Sequence, residues 1–272
     1  MRRIFVMMLL GLNLVSIQIY SVYITVWVHG TYPALSVLRA SWSPVRKMVY
    51  AQRGLSLAKQ LPGNYYFARL AKQLHECDDC VYCLDHFYLY GWHSSNVRPG
   101  HRISEGRLLY EQLQELLKNY SHHDEIIVRC IGFSHGGNVI LNMLPHLPFL
   151  APGVKVEVIL LATPIQESTR PYINNPHVSK AYSVYSDGDW IQRIDAQRFH
   201  HNCPKGASFW SQRTFRDEDC VQQICLKVNG KKIGHAKYRY LVKYLPDMLQ
   251  QIESLFQGQT TAKKVCLNYI TP

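Results

Sequence analysis

The strongest constraint on the fold of this chain is a glycine-rich segment at residues 132–137, Gly-Phe-Ser-His-Gly-Gly, which directly follows an apolar run. The run, residues 125–131, has the length and composition of a buried parallel strand. Ser134 stands between Gly132 and Gly136, and the missing side chains of these glycines let a helix fold back closely against the strand. The segment therefore predicts a nucleophile elbow, a sharp strand-to-helix turn that exposes the hydroxyl of Ser134.

The residue after this serine, His135, lies where the predicted helix begins, and the helical pattern continues through residues 138–144 until Pro145. Unpaired N–H groups and the dipole at a helix N-terminus stabilise negative charge that develops on an oxygen. The backbone amide of His135 is therefore predicted to face such an oxygen, while its side chain points away from Ser134. A glycine-rich turn without chemistry is the alternative that the pattern alone leaves open.

A nucleophilic serine needs a histidine that takes its proton and a carboxylate that orients this histidine. Two aspartates, Asp187 and Asp189, follow a predicted strand at residues 182–186, and we favour Asp189 as the acid. His235 comes after a turn-rich stretch and immediately before a helical pattern that starts at Tyr238. It is therefore the predicted base.

A second β-rich run, residues 24–28, ends in His29 and Gly30. A tight turn at this position would direct a backbone amide, that of Thr31, at the oxygen that faces the His135 amide. These two amides are the predicted oxyanion hole. His29 is predicted to hold the turn by hydrogen bonding.

In this order, the pieces resemble the α/β-hydrolase superfamily, in particular its lipase and esterase branch. The resemblance covers roughly residues 22–256 and rests on the His-Gly strand, the elbow, the strand that ends at residues 160–164, the acid Asp189 and the pair Gly234-His235. It implies an α/β fold with a mainly parallel sheet and helices on both faces. Because little chain precedes the His-Gly strand, we expect a shortened sheet.

The resemblance implies a serine hydrolase that cleaves a carboxylic ester, with a lipid or acyl ester as the favoured substrate and no metal or organic cofactor. A thioesterase or a peptidase would use the same triad. A non-catalytic, membrane-associated binding protein on the same fold is the alternative from another class. The residues predicted to line the substrate pocket are Tyr32, Trp92, His93 and Trp190.

The segment at residues 33–84 is predicted to hold two short amphipathic helices. The first would start after Ser43 and run to about Arg53, with Gly54 as its terminator, and the second would follow Asn64. The pair forms either a cap over the substrate pocket or a simple cover for the sheet, and the sequence favours neither.

The N-terminus and the overall charge bear on localisation. After two arginines, no charged residue occurs from residue 4 to residue 28, which favours a signal peptide or membrane anchor over residues 1–20. The hydrolase domain would then span residues 21–256, with a C-terminal tail at 257–272. The net charge of +11 is spread along the chain without a nucleic-acid-binding motif, so we expect a solvated basic surface, with attraction to anionic lipid as the alternative.

The eight cysteines allow more than one interpretation. Three of them lie at residues 77–83 between His75 and His86, a composition that also suits a metal site. The spacing is not repeated elsewhere, however, so disulfides in an exported protein are favoured over zinc, and free thiols are the remaining alternative. Cys130, within the elbow strand, is predicted to be a small buried hydrophobic residue.

Overall fold

A computed structural model describes residues 21–31, 52–94, 98–123, 125–197, 203–257 and 263–272. The strands within these ranges are β1 (Val22–Val28), β2 (Gly54–Leu57), β3 (Phe87–Gly91), β4 (Ile126–Phe133), β5 (Val154–Leu161), β6 (Val178–Tyr185), β7 (Gln222–Val228), β8 (Lys231–Lys232) and β9 (Lys264–Tyr269). The α-helices are α1 (Tyr66–Cys77), α2 (Pro99–Leu117), α3 (His135–Met143), α4 (Tyr238–Leu241) and α5 (Leu245–Gln257).

The nine strands of the described ranges form one sheet in the order β2-β3-β1-β4-β5-β6-β7, and both β8 and β9 pair with β7. The sheet is mostly parallel, and only β2 and β8 run antiparallel to their neighbours. Strands inside a parallel sheet are covered on both faces, which explains why β1, β4 and β5 are almost continuously apolar. The protein is thus a mixed α/β structure, as the sequence predicts.

Helices cover both faces of this sheet, and each face has its own hydrophobic core. One core joins α1 and α5 to the sheet through buried residues such as Leu70 and Ile252, which pack with Trp27 of β1. The other joins α2 and α3 to the opposite face through residues such as Leu113 and Val139. Full burial of one such aliphatic side chain contributes roughly 2 kcal/mol to stability.

The expected shortening of the sheet concerned strands ahead of β1, and that part of the chain lies outside the described ranges; on its other side the sheet continues beyond β6 through β7 and β9. One expectation about the C-terminus is wrong. The segment that we expected to be a C-terminal tail contributes β9, which pairs in parallel along β7. Polar and apolar residues alternate along β9. Without knowledge of its partner strand β7, the sequence of this segment therefore looks like an ordinary polar terminus.

The predicted cap segment divides between described and undescribed residues. The expected second helix is α1, and its buried residues Phe67, Leu70 and Leu74 belong to the core beneath it, so this helix covers the sheet. The expected first helix lies largely in residues 32–51, outside the described ranges. Gly54 is not its terminator, because it begins β2 with a φ of +95°, a value that glycine adopts readily.

None of the helices in the described ranges is both long and apolar enough to cross a membrane. The predicted signal peptide or anchor, residues 1–20, lies outside those ranges.

Candidate active site

Ser134 lies in the sharp turn between β4 and α3. Its backbone adopts φ +52° and ψ −130°, a conformation that costs a residue with a side chain roughly 1–3 kcal/mol. Neighbouring hydrogen bonds hold it there, since its amide donates to the carbonyl of Leu161 at 2.8 Å and its carbonyl accepts from the amide of Gly137 at 3.0 Å. The turn carries the serine hydroxyl out of the strand and over the carboxyl end of the sheet.

Glycines are required where the turn meets the end of β1. A methyl group on Gly136 would overlap the carbonyl oxygen of Val28, and one on Gly30 would lie 2.9 Å from the β-carbon of Ser134. A methyl group on Gly132 would likewise collide with the backbone at the start of α3. The His-Gly turn and the elbow therefore pack backbone against backbone, the close approach that the glycine spacing predicts.

His235 connects the serine to a buried carboxylate. Its Nε2 lies 2.9 Å from Ser134 Oγ, and its Nδ1 lies 2.8 Å from Asp189 Oδ2. The Asp189 side chain is completely buried, and that of His235 is 13% exposed. Asp187, the other candidate acid, is an exposed residue whose carboxylate lies 3.7 Å from the ammonium group of Lys232. The structure thus brings the favoured residues together and leaves Asp187 outside the site.

Two loops at the carboxyl end of the sheet bring His235 and Asp189 together. The Ser186 hydroxyl, directly after β6, accepts a hydrogen bond of 3.0 Å from the amide of Ile233, and this bond joins the two loops. Within the loop that follows β6, Asp189 Oδ1 accepts hydrogen bonds from the amides of Ile191 at 3.1 Å and Gln192 at 3.4 Å. These bonds fix the carboxylate and leave Oδ2 for His235.

The hydrogen-bonded chain defines where the protons lie. An ionised carboxylate only accepts, so the proton between His235 and Asp189 belongs to Nδ1 of the histidine. The Nε2 atom is then an acceptor, and the Ser134 hydroxyl donates to it. This arrangement can move the serine proton to His235 and stabilise the resulting positive charge beside Asp189.

The predicted oxyanion residues are neighbours. His135 begins α3, where backbone N–H groups have no partner within the helix, and Thr31 Oγ1 lies 2.6 Å from His135 Nδ1. The buried His29 supports the turn from behind, with its Nδ1 2.8 Å from the carbonyl oxygen of Gly30. Burial lowers the pKa of His29 to about 4, so this ring is neutral at pH 7.

The side chain of His135 is part of a polar network that the sequence did not reveal. Its Nε2 lies 3.2 Å from Asp195 Oδ2, and this oxygen accepts hydrogen bonds from Arg102 Nη1 at 3.0 Å and from the side-chain amide of Gln166. Burial and the charge of Arg102 lower the pKa of His135, so the ring is neutral. Its Nδ1 shares the 2.6 Å hydrogen bond with the hydroxyl of Thr31. The network therefore ties the Thr31 turn to the start of α3.

Asp195→Asn is expected to destabilise the protein by about 3 kcal/mol at pH 7, because it removes the charge opposite the buried Arg102. Burial alone would raise the pKa of Asp195, but hydrogen bonding by His135 and the charge of Arg102 outweigh burial and lower it. The difference in the free energy of unfolding between wild type and variant should therefore have its full value above pH 5 and shrink below about pH 4. Urea denaturation across this range measures it, with the exposed Asp217→Asn as control. Equal stability of wild type and Asp195→Asn at pH 7 would contradict the ion pair.

The predicted pocket residues fall into different environments. Trp92 is only 2% exposed and donates its indole N–H to the carbonyl of His29 at 2.8 Å, so it supports the turn instead of lining an open pocket. His93 is exposed, and its ring lies 5.8 Å from that of His101. Trp190 follows the acid directly and is 63% exposed. Tyr32 lies outside the described residues.

The loops beside Asp189 also expose apolar side chains that the sequence did not indicate. The segments at residues 190–197 and 208–213 run side by side, joined for example by the Ser211 amide, which donates to the Asp195 carbonyl at 2.9 Å. We call their exposed apolar side chains the acid-loop apolar surface. Its members are Trp190, Ile191, Ile194, Phe209 and Trp210.

The possible metal ligands do not belong to this site. In the described ranges, Asp78, Asp79 and Cys80 have potential ligand atoms within 4.8 Å of one another, on the loop after α1. Exposed carboxylates often lie this close without an ion. The eight cysteines, all of which are described, have free thiols.

Comparisons with known proteins do not identify the chain. No protein-family model matches the sequence, and no curated protein is similar to it. The interpretation of the site therefore depends on its geometry.

Proposed function

We propose that this protein is a serine hydrolase of the α/β-hydrolase superfamily that cleaves a carboxylic ester. The observation that carries the proposal is the hydrogen-bonded chain from Ser134 through His235 to Asp189, with distances of 2.9 and 2.8 Å. Each of the three residues lies in a loop or turn after a different strand of a mostly parallel sheet. A buried carboxylate, a histidine with a fixed tautomer and a serine in a strained turn together suit nucleophilic catalysis.

In the proposed reaction, Ser134 Oγ attacks the ester carbonyl carbon while His235 Nε2 takes the hydroxyl proton. The amides of Thr31 and His135 donate hydrogen bonds to the tetrahedral oxyanion. His235 then gives its proton to the leaving alcohol oxygen, and the C–O bond of the ester breaks to leave an acyl-enzyme on Ser134. A water molecule, deprotonated by His235, attacks this acyl group and releases the acid.

A lipid or acyl ester is the substrate class that we propose. The acid-loop apolar surface lies beside Asp189, with Trp190 63% and Trp210 46% exposed. Apolar side chains at the edge of a site favour substrates with apolar chains, because contact removes both surfaces from water. A panel of esters with increasing acyl length would test this class, and we expect kcat/KM to rise with length. A preference for the shortest acyl group would contradict it.

Two other functions remain alternatives. A thioesterase or peptidase would use the same three residues, and the ester panel distinguishes them when thioesters and amides are included. The alternative without catalysis is a membrane-associated binding protein on the same fold. A carboxylate placed to orient His235, which in turn accepts the Ser134 hydroxyl, favours the enzyme, because binding alone does not require this geometry.

Labelling with a fluorophosphonate tests the proposal without knowledge of the substrate, because the phosphorus atom captures an activated serine hydroxyl. We expect the purified protein to be labelled at the peptide that contains Ser134, as identified by mass spectrometry. Protein denatured before the probe is added serves as the control and should not react. Failure of the folded protein to react would contradict the hydrolase and favour the binding protein.

We also propose that the full chain is exported or associates with a membrane. The uncharged segment from residue 4 to residue 28 and the net charge of +11 support this proposal. No organic cofactor, metal or nucleic acid enters the proposed reaction. Fractionation of cells that produce the full chain would test the localisation. Recovery of the intact chain only in the cytosol would contradict it.

A further inference from the structure

Cys225 and Cys266 lie directly opposite each other on the paired strands β7 and β9. Neighbouring strands are about 4.8 Å apart. This spacing lies within the range of roughly 4.4–6.8 Å between the Cα atoms of disulfide-linked cysteines. The Cα spacing of the pair therefore permits a disulfide, and the two thiols are close enough to share a hydrogen bond.

The alternation of the two strands places both thiols on one face. Ile224 and Leu226 of β7 pack with Leu267 and Tyr269 of β9 in the core that also contains α5. Cys225, between Ile224 and Leu226, and Cys266, directly before Leu267, point to the opposite face, since side chains alternate along a strand. Cys266 is exposed, and Cys225 is 6% exposed. One sulfur is thus open to a reagent in solution, while its partner lies protected beside it.

The surroundings of the pair support this placement. Burial, the charge of Asp187 and the adjacent Cys266 thiol raise the pKa of Cys225, and the ammonium group of Lys264 lies close enough to interact with it. Lys264 is two residues before Cys266, on the same face of β9. The raised pKa disfavours the thiolate of Cys225, so the exposed Cys266 is the thiol that meets the oxidant first.

We propose that Cys225 and Cys266 form a disulfide when the protein meets a small disulfide oxidant such as glutathione disulfide. The Cys266 thiolate attacks one oxidant sulfur, breaks its S–S bond and releases one glutathione thiolate. The Cys225 thiolate then attacks the Cys266 sulfur and releases the second. The protein loses two electrons and two protons, and glutathione disulfide is reduced to two glutathione thiols.

This bond would act on the segment that supplies the base. The closed loop runs from residue 225 to residue 266 and therefore contains His235, α4 and α5. Cross-linking its ends reduces the entropy of the unfolded chain and fastens the edge strand β9 to β7. The proposal concerns the stability of this segment and does not depend on the proposed esterase activity.

Peptide mapping of the oxidised protein tests the proposal. Reduced wild-type protein is incubated with glutathione disulfide, its remaining thiols are alkylated, and it is digested with trypsin without reduction. We expect the peptide of residues 217–227 to be linked to the peptide of residues 265–272. Because the first peptide also contains Cys220, the Cys220→Ser variant is the control that assigns the bond to Cys225.

Thermal unfolding provides a second readout. We expect oxidation to raise the Tm by about 10 °C, and dithiothreitol to reverse this rise. Oxidised Cys220→Ser should behave like wild type, and Cys266→Ser should show neither the linked peptide nor the shift. The proposal is wrong if Cys225 and Cys266 both remain alkylatable after oxidation, or if either is linked to another cysteine of the chain.

Discussion

Ser134→Ala is expected to lower kcat for an activated ester by at least about 10⁴-fold, because the substitution removes the nucleophile and leaves only binding and the oxyanion amides. The side chain is small and its backbone is held by bonds from Leu161 and Gly137, so the alanine variant should fold. Hydrolysis of a p-nitrophenyl ester measures the loss. Ser254→Ala, an exposed serine on α5, is the matched control and should retain full activity.

The double variant makes this prediction sharper. His235→Ala should cost a similar factor, because Ser134 cannot give up its proton without the base at 2.9 Å. When two residues carry out the same step together, removing the second costs no further activity once the first is gone. Ser134→Ala/His235→Ala should therefore be no slower than either single variant. Losses that multiply in the double variant would show that the two side chains act independently and would contradict the proposed mechanism. Retained wild-type activity of Ser134→Ala would do the same.

The core of the site could be predicted from sequence because its requirements are local. An elbow needs glycines on both sides of Ser134, and the structure shows why, since a methyl group on Gly136 would overlap the end of β1. Asp189 follows the end of β6, and His235 follows the short β7–β8 hairpin; in a parallel sheet the carboxyl ends of neighbouring strands lie along the same edge. Local turn chemistry combined with this topology was sufficient to predict His235 and the loop that carries Asp187 and Asp189, but only the contact with His235 in the structure separates the two aspartates.

The parts that sequence reasoning missed depend on contacts between distant segments. Asp195 lies in a loop without a motif, and its role appears only when Arg102 of α2 and His135 of α3 meet it. Trp92 leaves β3 at the expected edge, but β3 is a neighbour of β1, and the indole therefore lies beneath His29. No local pattern encodes either arrangement.

The last expected result separates two aspartates that lie two residues apart. Asp189→Asn should lower kcat by about 10⁴-fold, whereas Asp187→Asn should leave it within about twofold of wild type. Asp187 is exposed beside Lys232 and does not contact His235 in the structure. Ester hydrolysis and fluorophosphonate labelling rates measure both variants, and equal losses would contradict the assignment.

The reason for the large effect lies in the tautomer of His235. In Asp189→Asn the side-chain oxygen keeps the amides of Ile191 and Gln192, so the new NH₂ group faces His235 Nδ1. That nitrogen must then accept, which moves the ring proton to Nε2, the atom that faces Ser134. A protonated Nε2 cannot take the serine proton. The variant should therefore lose kcat while its folding stability and KM change little.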